Sequence, residues 1–462
     1  MTGNIADVTD AIDRMQGILK RYEQNIVSDT AAELTEIMDL LQRSVLSAEK
    51  SGDWDFLKVV LYKVLPEFDK IEKTFQYISQ IVKTLLEQDI KKALAEEQGI
   101  IRTFLPNTVT HVVVDRLGNA GDHILGRSQR ALVESSKTEP DDKPSWNIVH
   151  VAKEVTTDFI EACNRSSGVI IGGGGLFLRD SNTNEISGWQ WPCSVEDLKR
   201  ITSPVYVMGV GYNRFRGQEE FDARFTESIN ALVEKSSFFG LRNHGSVRAV
   251  RNYLREDLRD KVQFCPCATT VLSRLYTLPR RREEKPFIAV NCAFDRAGMR
   301  YGGRQDEVIC ALAWVLKTLS GSWHIKCYIQ CTGDAELLPY LDEAGVAYEK
   351  VDLVREMDVE EYLSYYTDPA LVLAVRGHAQ MIPFGCGTPA VSIISHDKLA
   401  WFLEDIGHPE WGVEVSDPDF EEKLLAVSEA MLCRRETICE QIEEAKEKLW
   451  NVLQEDLAQI RL

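Results

Sequence analysis

The feature that most constrains this chain is a series of short, near-continuous apolar runs, each leading into glycine or polar residues and then into helical periodicity. THVVVDRLGNAGDHIL, SGVIIGGGGLFL and PVYVMGVG come first, and PFIAVNCAF, HIKCYIQC and ALVLAVRGHAQ follow later. Runs with so little polar alternation mark strands buried on both faces. Helical stretches between them, as over 219–235, complete the doubly wound pattern of a parallel sheet. The expected class is α/β, with two Rossmann-like lobes over 105–278 and 286–418 joined by the charged, proline-led linker 279–285 (PRRREEK). Ahead of them, 1–104 lacks strand-like runs and repeats apolar residues at helical spacing, as in Leu34, Ile37, Met38, Leu41 and Val45, so it reads as an all-helical extension. Behind them, 419–462 is rich in Glu and Lys and reads as a C-terminal tail of one long helix or two shorter ones. Two such lobes place a cleft where the C-terminal ends of their strands converge.

Charge narrows what can enter that cleft. The 462 residues carry a formal net charge of −19, which argues against nucleic acid and anionic lipid as partners, because both need a cationic surface. An anionic substrate must therefore meet a local basic pocket. The first twenty residues hold acids and no apolar core of signal-peptide length, and no run approaches the roughly 18 apolar residues of a membrane span, so a cytoplasmic protein without an integral membrane segment is expected. The 11 cysteines are odd in number and absent from the first third, a pattern of free thiols in a reducing compartment. Cys265-Pro-Cys267 lacks the spacing of a zinc or redox pair and reads as structural, and no convincing carboxylate or histidine cluster suggests a metal.

Several strand ends carry chemistry. At Gly118-Asn-Ala-Gly121-Asp122 a strand gives way to a helix whose backbone amides could receive an anion; Asp122 is then either an N-cap or an acceptor for a sugar hydroxyl. Four adjacent glycines, 172–175, are costly in chain entropy and useful where backbone must approach a ligand, which singles out Gly173 and Gly174; the spacing is not that of a P-loop. In SSFFGLRNHGS a strand delivers Arg242, which could pair bidentately with a carboxylate or phosphate or sit equally well in a surface ion pair. After LVLAV come Arg376, Gly377 and His378, a cation and an imidazole two residues apart where α/β enzymes bind ligands. Lys398 adds another positive donor, while His396 reads equally as a loop histidine. Trp189 and Trp191 in SGWQWP either stack on a sugar ring or anchor a loop.

Taken in order, GNAGDHIL, VIIGGGGLFL, GVGYN, FGLRNHGS and RGHAQMIPFGCGTPAVSIISHDK resemble the polysaccharide pyruvyl transferase family over about 112–407, with the helical first hundred residues outside the resemblance. The resemblance implies a GT-B-like two-lobed fold and a transferase that moves the enolpyruvyl carbons of phosphoenolpyruvate onto a sugar of a cell-surface glycan precursor as a ketal. It also implies His378 as general acid/base, Arg242 and Arg376 as an anion clamp, Lys398 as a further donor contact, amides of Gly173 and Gly174 completing the anion site, and Asp122 orienting the acceptor. Phosphoenolpyruvate is then a donor substrate, and no cofactor or metal is called for. A nucleotide-sugar glycosyltransferase and a non-catalytic glycan-binding scaffold stay open as alternatives, as does self-association through the N-terminal helices.

Overall fold

Each apolar run forms a strand, and the strands assemble into two six-stranded parallel sheets. In the computed structural model the described residues are 107–462, except 116–117, 138, 140–141, 180–184, 282, 284 and 356, together with Arg43. The chain divides into two units, Met1–Pro106 and Asn107–Leu462, and apart from Arg43 the helical extension expected over 1–104 lies outside the described residues.

The first sheet contains β1 (Thr108–Val113), β2 (Ser145–His150), β3 (Gly168–Phe177), β4 (Val205–Tyr212), β5 (Phe238–Leu241) and β6 (Val262–Phe264), in the order β2-β1-β3-β4-β5-β6. The second contains β7 (Phe287–Asn291), β8 (His324–Ile329), β9 (Tyr348–Asp352), β10 (Leu371–Ala374), β11 (Ala390–Ile394) and β12 (Gly412–Glu414), in the order β12-β11-β10-β7-β8-β9. Both are doubly wound, so the protein is an α/β molecule of two Rossmann-like lobes. Central strands are covered on both faces: every residue of β4, β7, β10 and β11 is buried, which is why their sequences show no polar alternation. Winding reverses between β1 and β3 in one sheet and between β7 and β10 in the other. Beyond the carboxyl ends of strands at such a reversal lies the crevice where open α/β sheets take ligands.

Five helices matter for the site: α1 (Ala120–Ser135), α2 (His244–Arg251), α3 (Gly377–Cys386), α4 (Asp397–Ile406) and α5 (Arg435–Gln459). The tail forms two helices, Phe420–Cys433 and α5, and α5 returns to the first lobe. Gln263 donates to Asp456 Oδ1 at 2.8 Å, Tyr206 Oη to the carbonyl of Arg461 at 2.7 Å and Lys137 Nζ to that of Leu462 at 3.1 Å. Buried Ile438, Ile442, Leu449, Leu453 and Leu457 join α5 to a core shared by the lobes, so 419–462 braces both rather than hanging free. Among the described residues no helix is long and apolar enough to cross a membrane.

One core group carries a pH consequence. His111 of β1 is fully buried, with Nε2 at 3.1 Å from Gln129 Oε1 and 3.2 Å from the Gly172 carbonyl. Burial, reinforced by Arg130, pushes its pKa from 6.5 down to about 4. A folded value below the unfolded one means that the stability gained by keeping the ring neutral is complete above pH 6.5 and lost as pH falls towards 4. Urea midpoints should therefore decline over that window, with a contribution of at most about 3 kcal/mol, and His111→Gln should flatten the decline.

Candidate active site

The two reversal points face one another across a cavity of about 220 Å³. Val114 and Asp122 reach it from the end of β1 and the start of α1, Gly174 and Gly175 from β3, Asp295 from beyond β7, and Arg376 and His378 from beyond β10. Asp122 lies in the first turn of α1, which Asn119 caps by accepting from the Asp122 amide at 3.3 Å while its Nδ2 donates to Asp122 Oδ2 at 2.7 Å. Oδ1 of Asp122 is 3.3 Å from Nδ1 of His378, the second residue of α3, so the pair bridges the lobes. Gly121 makes this approach feasible: a Cβ there would stand 2.7 Å from the Cβ of His378. The glycine in GNAGDH thus serves an encounter between lobes more than a local turn. Burial, then Arg242 and Lys398, lower the His378 pKa to about 3, so the imidazole is neutral near pH 7. Its Nε2 is buried and meets no protein partner.

Arg242 leaves the end of β5 just ahead of α2 and is 6% exposed. Its guanidinium fills the space beside Gly211, where a Cβ would lie 2.1 Å from Nε. Nε and Nη2 are buried without a hydrogen-bond partner in the protein, a costly state for a cation unless a ligand supplies the acceptor. Burial pulls its pKa below the ordinary value. Lys398, near the start of α4, donates from Nζ to Asn213 Oδ1 at 2.9 Å, again across the lobes. Burial, then Arg242 and Arg300, hold its ammonium well below the usual range.

Arg376 is differently placed from the open anion clamp expected of it. Nε donates to Asp334 Oδ1 at 2.9 Å, Nη2 reaches the same oxygen, and Nη1 is 2.8 Å from Asp295 Oδ1. Asp295 also takes Arg300 Nη2 at 3.0 Å. Burial opposes ionisation of Asp295, but Arg300 and Arg376 outweigh it and keep the carboxyl well below the usual carboxylate range. Two carboxylates thus neutralise Arg376, while Arg242 faces the cavity unmatched. Arg376 lines the wall, yet it is the less available cation.

Three further expectations need correction. Trp189 and Trp191 are 1% and 2% exposed within the first-lobe core, and Trp189 Nε1 donates to Ser228 Oγ at 3.0 Å, so neither ring faces the cavity. Of that loop it is Gln190 that lines the wall. Gly173 packs against Gln129 and Leu125, whereas Gly174 and Gly175 border the cavity. Sequence reading also missed Asn213, Phe215, Asp295, Arg296 and Arg300 on the wall and Asp334 behind it. The segment CAFDRAGMR after β7 is a strand end at a winding reversal, and that signal could have directed attention to 295–300. Phe215 reaches over from the first lobe: its ring is 4.4 Å from that of His396, with Arg296 and Arg300 at 5.7 and 5.5 Å. Arg296 adopts a left-handed φ of 54°, the kind of backbone cost that surrounding structure must hold in place. His396 is the N-cap of α4, its Nδ1 accepting from the Lys398 amide at 3.3 Å. Among the described residues, no group of three or more His, Cys, Asp or Glu could hold a metal ion.

Two Rossmann-like lobes flanking a cation-lined cleft define a two-lobed α/β protein with its candidate site between the lobes. The family profile for polysaccharide pyruvyl transferase matches residues 57–397, and the chain belongs to that family. The match starts well before residue 112, so part of the expected helical extension falls within it. Among solved structures, the S. aureus MnaA–UDP co-structure is similar with a TM-score of 0.46 at 10% identity, over 77% of this chain and 98% of that one. UDP-GlcNAc 2-epimerase from Neisseria meningitidis bound to UDP-GlcNAc gives 0.44 at 8% identity, over 75% and 99%. A UDP-forming alpha,alpha-trehalose-phosphate synthase from Burkholderia vietnamiensis also gives 0.44 at 8%, over 76% and 96%. No curated protein matches the sequence significantly.

Proposed function

We propose that this protein transfers the pyruvyl group of phosphoenolpyruvate to two hydroxyls of a sugar in a glycan precursor, forming a ketal and releasing phosphate. The observation that carries the reading is electrostatic. In a chain of net charge −19, Arg242, Arg296, Arg300, Arg376 and Lys398 converge on one cavity against the carboxylates of Asp122 and Asp295. Arg242, with two buried nitrogens unclaimed, is the cation best prepared to receive a carboxylate or phosphate.

The reaction needs a proton delivered to the methylene carbon of the enol, attack of one sugar hydroxyl on the central carbon, departure of phosphate, and closure by the second hydroxyl. One hydroxyl proton balances the new C–H bond and the other leaves on phosphate. In this reading His378 mediates these transfers. Asp122 stands against Nδ1 and orients the ring, leaving Nε2 as the atom that accepts or gives the proton. Charge brought by the donor opposes the depression caused by Arg242 and Lys398, so occupancy itself moves His378 towards the protonated form that the first step requires. The contacts Asp122–His378 and Asn213–Lys398 close the cleft, and parting of the lobes admits the glycan.

Purified protein given phosphoenolpyruvate and a panel of sugar acceptors should release inorganic phosphate and yield an acceptor heavier by one pyruvyl ketal, read by mass spectrometry. Turnover with a nucleotide sugar and none with phosphoenolpyruvate would replace this reading by glycosyl transfer.

A further inference from the structure

The chemistry above makes no use of Asp334, although it is an ionisable group with a side chain that is 0% exposed. It sits in a short 3-10 helix, Thr332–Leu337, beyond β8 and behind the cavity wall. Its Oδ2 accepts from the backbone amides of Gln330 and Cys331 at 3.1 and 3.0 Å and from Asn291 Nδ2 at 2.9 Å. Its Oδ1 takes Nε and Nη2 of Arg376. One carboxylate thereby ties together the C-terminal ends of β7, β8 and β10, the strands that carry the second lobe's half of the site.

We propose that Asp334 is the positioning residue for Arg376, a role that rests on the phosphoenolpyruvate reading. A guanidinium has five N–H groups in a fixed fork. Asp334 engages those on Nε and Nη2 from behind, Asp295 engages Nη1 from the cleft side, and the remaining N–H groups are left for the donor at a wall that Arg376 lines. Asp295 is the lesser brace: its side chain is 38% exposed and it is shared with Arg300. The buried carboxylate of Asp334 instead holds two nitrogens, Nε and Nη2, on one oxygen. Its contribution is to set an orientation that the flexible arginine stem alone would not keep.

The test uses the full chain. In Asp334→Asn the donor KM should rise about tenfold or more, because a buried charge pair loses one partner. The kcat should stay within about threefold and the pH profile should keep its position, since Arg242 and Lys398, the charges that depress His378, are untouched. Arg376→Ala combined with Asp334→Asn should lose no more than the worse single variant, as expected when one residue acts through the other. Additive losses, or an unaltered KM in folded Asp334→Asn, overturn the assignment. Should thermal unfolding show that this variant does not fold, Asp334→Glu keeps the charge and displaces it by one methylene; the same rise in KM is expected, and an unchanged KM overturns the role. Wild-type protein unreactive towards phosphoenolpyruvate removes the donor reading and this role with it, whereas an active wild type with an indifferent Asp334 removes only the latter.

Discussion

Replacing His378 by alanine is expected to lower turnover about 10³-fold while leaving donor affinity within a fewfold of wild type, as befits loss of a proton-transfer group that contributes little to ground-state binding. The expectation follows from the placement of the ring. Nδ1 is committed towards Asp122, Nε2 is buried without a partner, and both nearby cations repel a proton. The pKa of about 3 belongs to the empty site, so the imidazole starts neutral and gains affinity for a proton only when the anionic donor arrives. Donor binding should therefore be accompanied by proton uptake at His378, and affinity should strengthen as pH falls through the pKa of the occupied site towards that of the empty one. Calorimetry in two buffers of different ionisation enthalpy measures that uptake, and His378→Gln should remove part of it. Wild-type turnover in His378→Ala would eliminate the acid/base role outright.

Arg242→Ala should have the largest effect on the donor itself, raising its KM about 10²-fold or more with a smaller change in kcat. Arg242→Lys should recover little of this. An ammonium restores the charge but not the planar fork, and the space beside Gly211 is shaped to a guanidinium. A second signature separates a binding arginine from one that merely packs. Arg242 follows burial as a cause of the depressed His378 pKa, so its removal should shift the alkaline limb of the rate profile, where the protonated imidazole is lost, to higher pH. Steady-state kinetics across pH on both variants would show it, and an Arg242→Ala enzyme with wild-type KM and an unmoved limb would exclude Arg242 from the anion site.

The same residues show how far local sequence reaches. The strand-end runs identified both lobes because the need to bury a central strand on both faces is written into consecutive residues: VVV, VII, VYVM and LVLAV allow few other uses. Arg242, His378 and Lys398 were legible for a related reason, since a polar residue within a few positions after such a run is carried to the carboxyl edge of a sheet whatever the rest of the chain does. The glycines were legible as close approaches, but their partners were not. Gly121 answers to His378, and Gly211 to Arg242, across sequence separations that no local pattern encodes.

By itself, then, the sequence determined an α/β chain of two wound lobes, the strand ends that would carry charge, and the membership of those motifs in one family. Only the tertiary structure decided which charges remain free. It gave Arg376 to Asp334 and Asp295, left Arg242 unmatched, buried Trp189 and Trp191 in a core, and brought Asp122 to His378. The physical reason is that secondary structure follows from periodicities within one segment, whereas charge pairing and desolvation depend on which segments meet. In a cleft between two lobes, almost every such meeting joins residues far apart in the chain.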